Sequence, residues 1–274
     1  MADSKIMYFN SSDDGWWAYR LENNDIWSAP QHLKVEVDIK KSSGDRYHFK
    51  VLEGPWVVKS THYPQYFKPA QKYARGNVAK KAGGKDVLVN ESPHTAAAKL
   101  VADYKAHRFI DYNGHATPVV DSKLSYAGTS KEIVMTGDLI VPNTFHPLSI
   151  PDEKHVHRNY RATKFHAMWF RIDAKTAAAN FTGAGMPGDR YFHLGSASAG
   201  CFTNRYAGGD DKDWNTIANA LSKARVGSNQ LYVGHIKLQI VPATYAKIKT
   251  GLIAFAKAQG LKSYIWENTI HATP

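Results

Sequence analysis

The chain of 274 residues contains one cysteine, Cys201, so no disulfide can close within it and its fold must be held by an apolar core. Hydrophobic residues make up 43% of the sequence, which is enough for such a core. Long apolar runs are missing: nothing approaches the roughly 18 consecutive apolar residues of a membrane-spanning helix. The opening MADSKIMYFNSSDD has neither the basic nor the apolar region of a secretory leader. Internal repeats and low-complexity linkers are also lacking, so residues 1–274 read as one domain with insertions. Acidic residues are the minority, 24 against 35 basic, and the resulting net charge of +11 favours anionic surfaces. The densest basic stretch, KPAQKYARGNVAKKAGGKD from Lys68 to Asp86, offers only Tyr73 for base stacking and matches no nucleic-acid motif. Neither a nucleic-acid partner nor a cofactor is expected.

Strand signals fill the first half. KIMYFN, GWWAYRL, HLKVEVDIK and DRYHFKVL are rich in aromatic and β-branched residues and are separated by turn signals such as NSSDDG and KSSGD. SPHTAAAKLVADYKAHRFI reads as a helix, with Ser92 as its cap, Pro93 at the first helical position, and Ala97, Leu100, Val101 and Tyr104 on one face. KEIVMTGDLIV, TKFHAMWFRID, RYFHL and QLYVGHIKLQIV predict further strands. Trp214, Ile217, Leu221 and Ala224 recur at helical spacing behind Asp213 as the expected cap, and a last helix runs from Pro242 to Gly260. The expected class is α+β, mostly antiparallel β with a few packed helices. Residues 1–115 form a β-rich N-terminal part, and 242–274 a C-terminal helix and tail. In HVHR, His155 and His157 fall on one side of an expected strand at the spacing of two metal ligands. No acidic or cysteine partner stands at a recognisable ligand spacing, so a surface or core role is expected rather than a metal site.

The lone thiol stands in YFHLGSASAGCFTN, Tyr191 to Asn204. His193 lies at the end of an apolar strand, and the small residues between it and Cys201 allow the chain to fold back sharply. A thiol becomes a good nucleophile when an imidazole or local dipoles favour the thiolate, so His193 and Cys201 read as base and nucleophile. Gly200 allows a close backbone approach to substrate. The N–H groups of Ala199, Gly200 and Cys201 are the expected oxyanion donors, with the Ser198 hydroxyl steadying the histidine or the loop.

These residues resemble the signature of the YkuD-type L,D-transpeptidases, a histidine-glycine strand end followed by Ser-x-Gly-Cys: His193, Gly195, Ser198, Gly200 and Cys201 stand in that order. In that family a helix and a closing strand follow the cysteine, as DWNTIANALSKAR and VGHIKLQIV do here, and glycines and a proline such as those of TGAGMPGDRYFHL precede the histidine strand. The resemblance covers Thr163 to Val241 and implies a YkuD-like β-sandwich or barrel. It further implies that Cys201 attacks the carbonyl of an L-configured centre beside the terminal D-alanine of a peptidoglycan stem peptide. An amine then resolves the thioester in an L,D-transpeptidase, or water in an L,D-carboxypeptidase. The arginine that commonly stands two places after the cysteine is Thr203 here, so Asn204, Arg205 or a residue of the unmatched first half is expected to take over its contact with a substrate carboxylate, and Gly195 and Ser196 are also expected at the substrate. The expected place of action is the periplasm or cell wall. Without a visible leader, the expected route is leaderless secretion as an antibacterial effector, with a cognate immunity protein as partner. Two alternatives stand beside this reading: a papain-like cell-wall peptidase in which Cys201 pairs with His235 and His193 is structural, and a non-catalytic wall-binding protein on the same scaffold.

Overall fold

The computed structural model describes residues 3–54, 74–137, 139–173, 190–196, 200–227 and 231–262. The chain divides into two compact units. The first is built from Met1–Ala98, Ser149–Phe170 and Ala218–Gly234, the second from Lys99–Leu148, Arg171–Ile217 and His235–Pro274. Each unit takes three separate segments, so no linker separates them along the chain, and a boundary leaves no trace in composition.

The first unit carries strands β1 (Ser4–Phe9), β2 (Trp16–Arg20), β3 (Ile26–Pro30), β4 (Lys34–Asp38), β5 (Arg46–Val51), β6 (Arg75–Ala79) and β9 (Leu88–Val89) in one sheet of order β3-β2-β6-β5-β4-β1-β9. Two short strands, β7 (Lys81–Ala82) and β8 (Lys85–Asp86), form a separate hairpin. Antiparallel register sets Val35 between Met7 and Val51, and Val37 opposite Phe49. These positions are buried while their neighbours Glu36 and Lys50 turn outward, the alternation expected of a sheet with one wet face. Phe49 meets both Phe9 and Tyr19 edge-on at ring separations of 5.5 and 5.4 Å.

The second unit is dominated by a sheet of order β13-β17-β10-β11-β12-β16-β15-β14. Its strands are β10 (Ala98–Tyr112), β11 (His115–Tyr126), β12 (Thr129–Thr136), β13 (His146–Ser149), β14 (Phe170–Arg171), β15 (Tyr191–Gly195), β16 (Phe202–Arg205) and β17 (Tyr232–Gln239). A bridge between Leu148 and Ile172 brings the edge strand β13 to the chain leaving β14, so the sheet curls almost into a barrel. Two α-helices are described, α1 (Lys212–Lys223) and α2 (Pro242–Gln259). The expected α+β class, mostly antiparallel β, holds.

Three local expectations need correction. The segment read as a helix from Ser92 is the long strand β10; Ser92 accepts the His94 N–H in a turn, and the buried residues alternate as Ala98, Leu100 and Ala102. Leu100, Val101 and Tyr104 also satisfy a helical period, and the pairing of β10 with β11 decides between the two. TKFHAMWFRID forms a strand only at Phe170–Arg171. Phe165 and Met168 lie in turns before it and pack against Gly15, where a Cβ would lie 2.5 Å from the Met168 sulfur. The α1 cap is Asp211, whose Oδ1 accepts the Trp214 N–H at 2.9 Å, while Asp213 sits in the first turn. Helix α2 runs as expected: Pro242 opens it, and Gly260 closes it in the left-handed conformation at φ 64°. Among the described residues no helix is long and apolar enough to cross a membrane.

Candidate functional site

Strands β15 and β16 are parallel, with Phe192 opposite Phe202, His193 opposite Thr203, Leu194 opposite Asn204 and Gly195 opposite Arg205. Side chains alternate across a strand, so Tyr191, His193 and Gly195 share one face with Cys201, Thr203 and Arg205. Phe192, Leu194, Phe202 and Asn204 take the other face and are fully buried inside the barrel, where Phe192 meets Trp214 edge-on at 5.4 Å. On β12, Val134 pairs with Thr203 and so extends the face that carries the thiol.

Cys201 immediately precedes β16 and is 6% exposed. Its Sγ accepts the Tyr191 N–H at 3.3 Å. His193, two residues further along β15, is 3% exposed. Its Nδ1 lies 2.9 Å from the Leu194 carbonyl, a contact that requires a proton on Nδ1 and leaves Nε2 as the basic nitrogen. The Thr203 hydroxyl lies 3.5 Å from that Nε2. Gly195 supplies the space for this ring: a Cβ there would lie 3.2 Å from His193 Cε1 and 3.0 Å from Thr203 Cγ2. The histidine-x-glycine spacing thus has a steric cause, because the imidazole folds over a residue with no side chain.

Other expected site residues fall differently. Gly200, at φ 85°, donates its N–H to the Thr136 carbonyl, so that group is committed to the backbone and is not an oxyanion donor. Asn204 is on the inward face and fully buried, and neither its amide nitrogen nor its oxygen has a hydrogen-bond partner among the described residues. It is therefore not a substrate contact from the thiol's side of the sheet. Ser196 is exposed at the end of β15, and Arg205 is on the thiol's face with its guanidinium 3.2 Å from Glu132. Ser198 and Ala199 lie outside the described residues. Tyr191, Thr136 and Thr203 escaped sequence reasoning, since their parts depend on backbone groups and strand register.

His235 sits on β17, and three strands separate it from β16 in either direction round the curled sheet. No contact between Cys201 and His235, the pair of the papain-like alternative, is seen among the described residues. His155 and His157 are not on a strand, contrary to expectation. Both stack on the Trp169 indole, at centroid separations of 4.4 and 4.7 Å with planes within 11°. Burial, then the neighbouring His157, holds His155 down to about 4. Among the described residues no group of three or more His, Cys, Asp or Glu side chains gathers as a metal site would require.

The first unit holds a different polar cluster, which sequence reasoning did not find. Glu53, 4% exposed, accepts Arg225 at both oxygens, at 2.7 and 3.1 Å, together with the Lys34 N–H at 2.8 Å. Arg225 spends its remaining donors on the carbonyls of Ser222, Ala224 and His32, and His94 reaches the same His32 carbonyl at 2.8 Å. Burial alone would raise the Glu53 carboxyl, but His94 and Arg225 outweigh it and hold it at about 2. Burial, reinforced by Lys223 and Arg225, holds His32 down to about 3.

No protein-family model matches this chain, and no curated protein or solved structure is significantly similar to it.

Proposed function

We propose that the protein is a cysteine-dependent acyl-transfer enzyme of peptidoglycan, acting on stem peptides as an L,D-transpeptidase, an L,D-carboxypeptidase or both. The observation that carries this reading is the shared outward face of β15 and β16. There a thiol with a backbone N–H on its sulfur shares one face with an imidazole whose Nδ1 is tied to a carbonyl, which puts the basic lone pair on Nε2, 3.5 Å from the Thr203 hydroxyl. His193 takes the thiol proton, and Sγ adds to the acyl carbonyl. The C–S bond forms and the C–N bond to the terminal D-alanine breaks, the amine leaving with the proton carried by His193. An amine or a water then attacks the thioester and restores the thiol. The proposed substrate places the reaction in the periplasm or cell wall.

The test is incubation with purified muropeptides followed by mass analysis, which reports the bond cut and the acceptor together. Cys201→Ala removes one sulfur next to a strand and is expected to abolish turnover while leaving the melting temperature within a few degrees. Turnover retained in that variant would end the nucleophile assignment. A Cys201 that resists iodoacetamide throughout the pH range in which a free thiol reacts, in a protein without turnover, would favour the non-catalytic wall-binding alternative.

A further inference from the structure

We propose that a cavity on the outward face of the eight-stranded sheet, lined by Lys105, Lys123 and Arg205, is an anion subsite that holds a carboxylate of the peptide acylating Cys201; this rests on reading Cys201 as the nucleophile. The cavity measures about 560 Å³, within the size range of small-ligand sites. It continues the thiol's own face. Arg205 follows Cys201 by four residues on the same side of β16, a span of roughly 13 Å at ~3.3 Å per residue, which is the length of about four extended peptide residues. From Arg205 the face passes to Glu132 through their 3.2 Å ion pair, and from Glu132 to Lys123, its register partner on β11.

A second, independent feature is a break in register. Tyr104 pairs with Ser122 and Ala106 with Asp121, so Lys105 is the extra residue of a β-bulge in β10. A bulge re-aims a side chain that regular alternation would direct elsewhere, and here it adds an exposed ammonium to the cavity wall. The charge balance completes the argument. The lining carries four basic side chains against two acidic ones, Asp121 and Glu132. Glu132 is taken by Arg205, Asp121 by Arg108 at 2.6 Å, and Lys131 by Asp211 at 2.5 Å. Lys105 and Lys123 have no ion-pair partner among the described residues, and a concave site with uncompensated positive charge concentrates anions.

The probes are a synthetic acidic tetrapeptide with free carboxylates, the same peptide with every carboxylate amidated, and inorganic phosphate. Titration calorimetry on the full-length Cys201→Ala protein reads binding without turnover. The acidic peptide is expected to bind at least ten-fold more tightly than its amidated form, and Lys105→Gln/Lys123→Gln to erase that preference. Both lysines are exposed, so the double variant is expected to keep the parent melting temperature. Equal affinities, a preference that survives the double substitution, or phosphate binding as tightly as the acidic peptide would each overturn the subsite. The reading of Cys201 is judged separately: carboxylate-dependent binding with no cleavage of stem peptides by the intact thiol protein removes the nucleophile and leaves the anion site standing. Cleavage with no carboxylate preference removes only the subsite.

Discussion

Each unit buries a polar cluster, and the two clusters are built differently. In the first, the Glu53 carboxylate and the Arg225 guanidinium are closed on each other, and the donors left over end on the carbonyls of His32, Ser222 and Ala224. In the second, His193 is fixed at one nitrogen while Thr203 faces the other at 3.5 Å, longer than a settled hydrogen bond, and the Asn204 amide on the inward face has no partner among the described residues. The Glu53–Arg225 pair is closed on itself and has nothing left to offer a substrate, although both nitrogens of the buried His32 ring beside it have no hydrogen-bond partner among the described residues. A buried amide without a partner, such as that of Asn204, costs stability, and imperfectly satisfied polar groups of this kind are where chemistry is expected.

This contrast is open to direct attack, and the largest effect is expected from the ion cluster. Glu53→Ala leaves the Arg225 charge buried without its partner, and should destabilise the protein by about 3–5 kcal/mol, read as a fall in the urea midpoint. The alkylation rate of Cys201 should be unchanged under native conditions. A slowed thiol in that variant would show that the two regions are not functionally separate.

Next in size is the base. His193→Gln should lower kcat/KM by about 100-fold, equivalent to about 2.7 kcal/mol, and should move thiol alkylation to higher pH, whereas His235→Gln should change neither by more than a few-fold. If His235→Gln silences the thiol and His193→Gln does not, the assignment of the base is reversed.

The smallest effect per group is the response to mild acid. His32 and His155 have folded values held down to about 3 and about 4, below the 6.5 of an unfolded histidine. The unfolded chain therefore binds protons that the native state refuses. The stability these residues contribute is complete above pH 6.5 and is lost as pH falls toward those folded values. At pH 5.5 the loss is on the order of 1 kcal/mol per histidine. Glu53 works in the same direction at lower pH, its contribution being lost between 4.5 and about 2. Burial also lowers His146 in the second unit, so that unit is not exempt from acid. Hydrogen exchange corrected for intrinsic pH dependence should show the seven-stranded sheet losing protection between pH 7 and 5.5. Protection lost first in the eight-stranded sheet would contradict the assignment of acid sensitivity to the first unit.

Local chemistry alone determined a good part of this protein. Alternating apolar residues in KIMYFN, HLKVEVDIK and DRYHFKVL mark strands because a pleated chain buries every second side chain, and Pro242 and Gly260 bracket a helix because their backbone preferences suit its two ends. The packing of His193 over Gly195 was legible for a similar reason: the two stand two residues apart on one face of a strand, where an imidazole can fold over a residue with no side chain. Only the tertiary structure decided what depends on register and long-range pairing. The stretch after Ser92 suits two periods and becomes a strand because β11 lies along it. Asn204 turns inward because β16 pairs with β15 and β12 in a register that gives its outward face to Cys201, Thr203 and Arg205. Lys105 joins Arg205 at one cavity through a bulge, and Arg225 finds Glu53 across 172 positions of sequence. A side chain's type travels with the sequence, whereas its neighbours are chosen by the pairing of strands far apart along it.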